Sequence, residues 1–252
     1  MTTLNILLVG GTGSVGRHVA RVAQAAGHSI RILSRRGGGE NTVVGDLTDP
    51  STLVDAVRDI DAVVFTQGTH GDETGYRDVD YGGVRGILEA IGDRPVRIAQ
   101  MTAIGVTGRD GAFNRSNKAH DWKRRAERLV RASGHPYTIV RPAWFDYNAD
   151  DQHELHFLQG DTRHAESPAD GVIARSQIAE VLVAALTSDA AVGKTLELVA
   201  ERGPAQTDLD PLFAALAADV ELDGAKDADN MPVDSEPADA IADLERIRAL
   251  RG

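Results

Sequence analysis

The chain has 252 residues, 42% apolar and 26% charged, with a formal net charge of −11 and no cysteine. That length supports one large α/β domain with a sizeable core. The acidic balance argues against a general grip on nucleic acid or an anionic membrane, which both need a basic face, and the missing thiols exclude disulfides, thiol nucleophiles and thiolate metal sites.

The pattern opens with an apolar strand over residues 4–9, a glycine-rich turn, an amphipathic helix over 14–26 and a second strand over 29–33. The turn reads Gly10-Gly11-Thr12-Gly13-Ser14-Val15-Gly16. In a strand–turn–helix of this kind one glycine reverses the chain, one lets backbone approach a pyrophosphate, and one lets helix pack closely on strand. The amides and dipole of the new helix then hold the phosphate charge. An NAD site usually places a carboxylate at the end of the second strand. Here Ser34-Arg35-Arg36 stands there, with no carboxylate before Glu40. Guanidinium groups suit a 2′-phosphate, so NADP is favoured over NAD.

A short strand follows over 42–44, ending in Gly45-Asp46-Leu47, and Pro50 opens a helix that runs to about 57. Residues 61–66 form a strand apolar enough for burial on both faces. Residues 67–75 form a polar loop, 76–91 a helix and 96–101 a strand. Strands and helices alternating at this spacing predict a Rossmann-like, doubly wound parallel sheet, with ligands bound outside the carboxyl ends of its strands. Asp46, Gln67, Gly68, Thr69 and Thr102 fall on that edge, beside the glycine turn, and Thr66, the last residue of its strand, is a further cofactor-binding candidate. Residues 102–116 read as a loop, and 117–133 as a helix whose packed face carries Ala119, Trp122, Ala126, Leu129 and Val130. Lys123 lies at the margin of that face. His120 and Asp121 point away from it, which predicts solvated side chains.

A strand over 137–140 ends in Arg141-Pro142-Ala143-Trp144, and Trp144, Phe145 and Tyr147 are candidates to wall a nicotinamide pocket or to pack in the core. Residues 148–171 are long, polar and irregular, which predicts a functional or mobile loop opening a small C-terminal substrate lobe from about 146. His153 and His156, three apart among carboxylates, suit a solvated loop better than a metal site. A helix over 176–186, a strand over 195–199 and a helix over 208–217 complete one NAD(P)-binding domain spanning 1–218. Residues 219–239 are acidic and predicted to be extended and partly mobile. The tail, 219–252, closes with a candidate helix over 238–250. The first residues lack the layout of a signal peptide and no apolar run matches a membrane span, so a cytoplasmic protein without a membrane partner is the expectation.

Several stretches together resemble the atypical, NmrA-like short-chain dehydrogenase/reductases. They are Gly10-x-x-Gly13-x-x-Gly16, Gly45-Asp46-Leu47-Thr48-Asp49, Ala126-Glu127, and Ser133-Gly134-His135-Pro136-Tyr137-Thr138-Ile139-Val140-Arg141-Pro142, with Ser176-Gln177-Ile178-Ala179 beyond. The resemblance implies that Asp46 and Leu47 flank the adenine. It also implies a catalytic Tyr-x-x-x-Lys with a Ser near the end of the fifth strand. Lys123 matches the Lys, but Ala119 stands where the Tyr belongs, and Thr102 takes the place of the Ser. Lys123 is then expected to hold the nicotinamide ribose, and the phenolic proton relay is missing. The expected function is NADP-dependent hydride transfer to a small conjugated acceptor such as a quinone, flavin or enone. The alternatives are a non-catalytic NADP-sensing regulator resembling NmrA, and an epimerase or dehydratase acting on a nucleotide-linked substrate. No serine sits in a nucleophile-elbow context.

Overall fold

The computed structural model describes residues 3–251. In strand β1 (Asn5–Val9), Ile6 and Leu8 enter one apolar layer and Leu7 and Val9 the other. A strand buried on both faces needs helices on both sides, and the rest of the chain supplies them. The strands that follow are β2 (Ser29–Ser34), β3 (Thr42–Val44), β4 (Ala62–Phe65), β5 (Arg97–Met101), β6 (Tyr137–Pro142), β7 (Trp144–Phe145), β8 (Glu154–Leu158), β9 (Val172–Ile173) and β10 (Lys194–Glu201). Eight of them form one sheet in the order β3-β2-β1-β4-β5-β6-β10-β8. All neighbours run parallel except β8, which is antiparallel to β10. The expected doubly wound α/β sheet is therefore the observed one. The strand order reverses at β1, so the crevice between β1 and β4 is where a ligand is expected.

The helices are α1 (Gly16–Ala25), α2 (Glu73–Gly75), α3 (Gly82–Ile91), α4 (Ala112–Asn117), α5 (Ala119–Ser133), α6 (Arg175–Thr187), α7 (Asp210–Ala214) and α8 (Ala238–Ala249). On α1, Val19 and Ala23, one helical turn apart, share a buried face and pack with α6 on one side of the sheet. Helices α3, α5 and α8 pack together on the other side. None of the described helices is long and apolar enough to cross a membrane.

Several elements differ from the sequence reading. The helix expected over 50–57 is one 3-10 turn (Pro50–Thr52), started by the Asp49 carboxylate accepting from Ser51 N at 3.1 Å, and looser turns follow. The helix expected over 76–91 is interrupted by a π-helical stretch, Tyr76–Tyr81. Such wide turns often sit at functional sites, and this one delivers Asp80, discussed below. The helix expected from 117 breaks at Lys118, whose φ of 56° is left-handed, so α4 and α5 are separate. The irregular segment 148–171 hides β8, a short edge strand in which only Leu155 is fully buried.

The largest difference concerns residues 219–236, expected to be extended and mobile. They lie across the polar side of α5, where Asp223 pairs with Arg124 and Arg128, Asp219 with Arg131, and Glu236 with Arg125. Asp227 reaches further in and grips Arg141 of β6 through two bonds of 2.7 Å. Helix α5 is therefore buried on nearly all sides: its apolar face meets the sheet, and its arginines meet the acidic segment. Local composition reads acidic residues as solvated because it cannot register cationic partners about a hundred residues away.

Candidate active site

The glycine turn follows β1 with almost no spare room. Gly10 has φ of +82°, and a Cβ there would fall 2.5 Å from Gln67 N. A Cβ at Gly16 would fall 2.3 Å from Gly10 O, so α1 starts directly against the turn. Gly13 N donates to Gly10 O at 2.9 Å, and Thr12 O accepts from Arg17 Nε at 3.1 Å. Val15 is buried. No side chain caps α1, and its first turn has no carboxylate, which leaves its N-terminal amides and dipole to an anionic ligand.

The neighbouring strand ends complete the crevice. Thr66 Oγ donates to Val9 O at 2.9 Å, tying β4 to β1 where the turn begins. Gln67 Oε1 is buried without a partner, an orphan acceptor of the kind a ligand hydroxyl satisfies. Gly68 follows it, exposed. At the end of β2, Arg35 and Arg36 are exposed while Ser34 Oγ accepts from Arg36 N at 3.4 Å. The Asp46 carboxylate accepts from Thr48 N and Thr48 Oγ, and these bonds, with the Arg35 charge, hold it below its ordinary value. Arg35 and Asp46 thus share one corner, with half-buried Leu47 beside them. A glycine cradle, an uncapped helix and an orphan acceptor fit a dinucleotide.

Lys123 is not a free surface lysine. Its ammonium is paired with Asp80 and lies 5.9 Å from the centre of the Tyr76 ring. Asp80 also accepts from Thr69 N at 3.1 Å and Thr69 Oγ at 2.9 Å. The π-helical stretch therefore clamps Lys123 to the loop that follows β4, within reach of the crevice. Tyr76 supplies no acidic phenol here, since burial and the Asp80 charge push its pKa up.

Thr102 is placed differently from the role the resemblance implies. Its hydroxyl donates at 2.6 Å to Glu127 and is buried. Glu127 also takes Arg141 at 2.7 Å and Arg131 at 3.3 Å, all with fully buried side chains. Burial alone would push Glu127 up, but Arg141 and Arg131 hold it below the usual carboxylate value. The Ala126-Glu127 and Arg141-Pro142 motifs are thus joined inside the protein as a structural ion network, with Thr102 as a member. The hydroxyl is spent there rather than turned toward a substrate.

The open space lies beyond β5 and β6. A cavity of about 880 Å³ is walled by the 103–108 loop, Phe113, His120, Trp144, Phe145, Tyr147 and Arg175, among others. Trp144 and Tyr147 meet edge to face at 6.2 Å, so these aromatics do line a pocket. Arg175 Nε donates to Ser14 Oγ at 3.1 Å and its guanidinium sits 5.1 Å from the centre of the Phe145 ring, joining the cavity to the glycine turn. His120 and Asp121, expected in solvent, are not there. Helix α5 starts only at Ala119, and its first turn is roofed by α4 and the 104–111 loop. Asp121 is buried on Arg109 and Asn114, and the His120 ring stands in the cavity wall. Among the described residues no group of three His, Asp or Glu is placed to hold a metal; His156, on β8, lies 3.8 Å from both Glu154 and Glu201.

Two residues that shape the cavity escaped the sequence reading. Asp161 accepts from Gly105 N at 2.6 Å and Thr107 N at 2.7 Å, suspending the loop that forms one wall. Glu197 accepts from Asp161 N at 3.1 Å, and burial, with the Asp161 charge, pushes it up to about 7. Neither belongs to a recognisable motif. Because folding raises the Glu197 pKa from its ordinary 4.5, the folded state holds a proton that the unfolded chain releases between those values. The Glu197 contribution to stability should therefore fall as pH rises from about 4.5 to about 7 and stay level above. In Glu197→Gln the stability at pH 5 relative to pH 8, measured by urea denaturation, should drop by roughly 2.5 kcal/mol against the native protein. An unchanged difference would mean that Glu197 titrates as an ordinary carboxylate.

Comparison with known proteins agrees with this geometry. A family model described as NAD(P)H-binding matches residues 10–189. Sanguinarine reductase of Eschscholzia californica is 24% identical over 262 residues, covering 84% of this chain and 95% of that one. Phenylcoumaran benzylic ether reductase Pyrc5 of Pyrus communis is 28% identical over 156 residues, 56% of this chain, and the match spans about half (48%) of that protein's length. Among solved structures, a Bacillus halodurans protein assigned as an NAD-dependent epimerase/dehydratase superposes with a TM-score of 0.70 at 22% identity. That superposition covers 84% of this chain and 100% of the other, a likeness of fold. With its glycine cradle, its doubly wound sheet and a match over most of its length, the chain belongs to the NAD(P)H-binding family.

Proposed function

We propose that the protein is an NADPH-dependent reductase of a small, planar, conjugated acceptor such as a quinone, flavin or enone. The observation that carries this reading is the junction between the glycine turn and an aromatic-walled cavity, made by the Arg175–Ser14 bond. The names of the two relatives, both reductases, support the reaction class. Gly10, Gly13 and Gly16 would admit the pyrophosphate, and Thr12, Ser14 and the start of α1 would bind it. Arg35, with Arg36 and Ser34, would grip the 2′-phosphate, and Asp46 and Leu47 would flank the adenine. Thr66, Gln67 and Gly68 line the crevice beyond, where Lys123, steadied by Asp80, would donate to ribose hydroxyls and orient the ring. When bound, the reduced nicotinamide supplies a hydride. Trp144, Phe145 and Tyr147 would stack on the acceptor and exclude water from it.

The test is NADPH oxidation against a panel of quinones, flavins and enones, with cofactor fluorescence titration as control. Saturable oxidation with at least one acceptor is expected. Binding of NADPH without any turnover, together with a protein partner captured in one redox state only, would favour the sensor reading. Cofactor choice is tested separately. Arg35→Asp should weaken NADPH binding tenfold or more while leaving NADH binding similar, given about 1.5–3 kcal/mol for charge-assisted contacts. Equal affinity of the native protein for the two cofactors would sink the 2′-phosphate assignment.

A further inference from the structure

The cavity wall contains several ionisable groups, and most of them are committed elsewhere. Arg175 is held by Asp146 and Ser14, and Arg109 by Asp121. Glu166 accepts from the amides of Ala112 and Phe113, and Asp170 from those of Ala165 and Ser167. The Tyr147 phenol is on a largely exposed side chain at the rim. His164 is 42% exposed and turned toward Thr107 and Asp161. His120 differs from all of these. Its ring packs 5.4 Å from the Phe113 ring in the cavity wall, and its Nδ1 is buried without a partner. It is one residue along α5 from Ala119, which is wholly buried and carries no acid.

We propose that His120 is the proton donor of the reduction, delivering a proton from Nε2 to the oxygen of the conjugated acceptor. The assignment rests on the reductase reading above. The acceptor gains two electrons and one hydrogen as hydride from the reduced nicotinamide, which is oxidised. The negative charge that develops on the acceptor oxygen takes the His120 proton, and the neutral imidazole recovers one from water. The missing tyrosine is thereby replaced from the next position of the same helix, with an imidazole in place of a phenol.

The groups facing the ring fit this role. Burial, then Lys123 on its own helix, lower the His120 pKa, while Asp161, the Gly108 carbonyl and Glu166 partly offset them. His164 faces it across Gly105. The net effect is an imidazolium more acidic than an ordinary one, so transfer to the acceptor gains driving force while the charged fraction falls with rising pH.

Two measurements test the assignment, with menadione as the probe quinone. In the first, kcat with NADPH should fall about 100-fold in His120→Gln and His120→Ala, with NADPH affinity and melting temperature little changed. Added imidazole should restore part of the rate in His120→Ala only. The wild-type rate should decline with rising pH where the variants are flat. A wild type that turns over while His120→Gln keeps its rate and pH profile overturns the His120 role and leaves the reductase reading standing. A wild type that oxidises NADPH with no member of the panel overturns the reductase reading, and this assignment falls with it. The second measurement needs no turnover. In histidine-labelled protein saturated with NADP, menadione should shift the His120 Nε2 resonance, and an unmoved resonance overturns the placement of the ring against the acceptor.

Discussion

Arg141→Met should destabilise the protein by about 5 kcal/mol, at the top of the range for breaking a buried ion pair. The guanidinium is fully buried and serves three carboxylates at once: Glu127 at 2.7 Å, Asp227 at 2.7 Å and Glu197 at 3.2 Å. Methionine fills much of the volume and removes the guanidinium that touches all three. Arg131 still reaches Glu127, at 3.3 Å, so part of the network survives. Asp227 and Glu197 would be left to charge in an apolar interior or to take up protons. Domains of this kind are stable by about 5–15 kcal/mol in total, so the variant is expected at the edge of folding at neutral pH. Its deficit should narrow as pH falls, because protonation removes the uncompensated charge. Arg141→Lys should recover little, since one ammonium cannot reproduce a planar fork with five donors. Urea denaturation at two pH values checks this. A loss under about 1 kcal/mol, the ordinary cost of a substitution, would mean that the network contributes nothing beyond its packing.

Gly16→Ala should abolish useful cofactor binding. The added methyl would fall 2.3 Å from Gly10 O and 2.7 Å from Gly11 Cα. Both obstacles are backbone, so the helix must back away from the turn that it starts against. Displacing the first turn of α1 moves the amides that would meet the pyrophosphate. An affinity loss of about 100-fold or more is expected, equivalent to roughly 2.7 kcal/mol, together with an overpacking cost of about 1–3 kcal/mol in stability. Gly13→Ala separates the two effects. Its nearest obstacle is Gly10 O at 3.1 Å, which small shifts can relieve, so its folding should be nearly normal while its cofactor affinity still falls. NADPH fluorescence titration and thermal melting on both variants make the comparison. Normal NADPH affinity in Gly16→Ala would remove the turn from the cofactor site.

The parts of the molecule legible from sequence are those in which the determining interaction is local. The apolar runs of β1, β4 and β6 and the spacing of Val19 and Ala23 declare a two-sided parallel sheet without reference to anything distant. The glycine turn is legible for a related reason, since Gly16 meets Gly10 only six residues away, although Gly10 itself is also pressed by Gln67 of the neighbouring strand end. Where two local preferences competed, the reading failed. Lys118 accepts a left-handed φ that splits one predicted helix into α4 and α5, and the π-helical stretch before α3 keeps helical periodicity while shifting its register. β8 was missed because a short edge strand with one fully buried residue leaves almost no alternation to detect.

The order of strands and helices, the place of the glycine turn and the absence of a tyrosine four residues before Lys123 can all be read from the chain alone. Tertiary structure alone decided what each polar side chain does. Lys123 is clamped by Asp80, 43 residues away, and the Thr102 hydroxyl is consumed by Glu127, 25 residues away. Arg124 and Asp223 meet across 99 residues, which turns an acidic segment that composition reads as solvated into the cover of α5. His120, which points away from the packed face on a helical wheel, is brought into the cavity because α4 and the 104–111 loop fold over the start of α5. The physical reason is common to all four. A periodic pattern records whether a position faces water or core, but the energy of a buried charge or donor depends on which partner reaches it, and that partner is chosen by the fold.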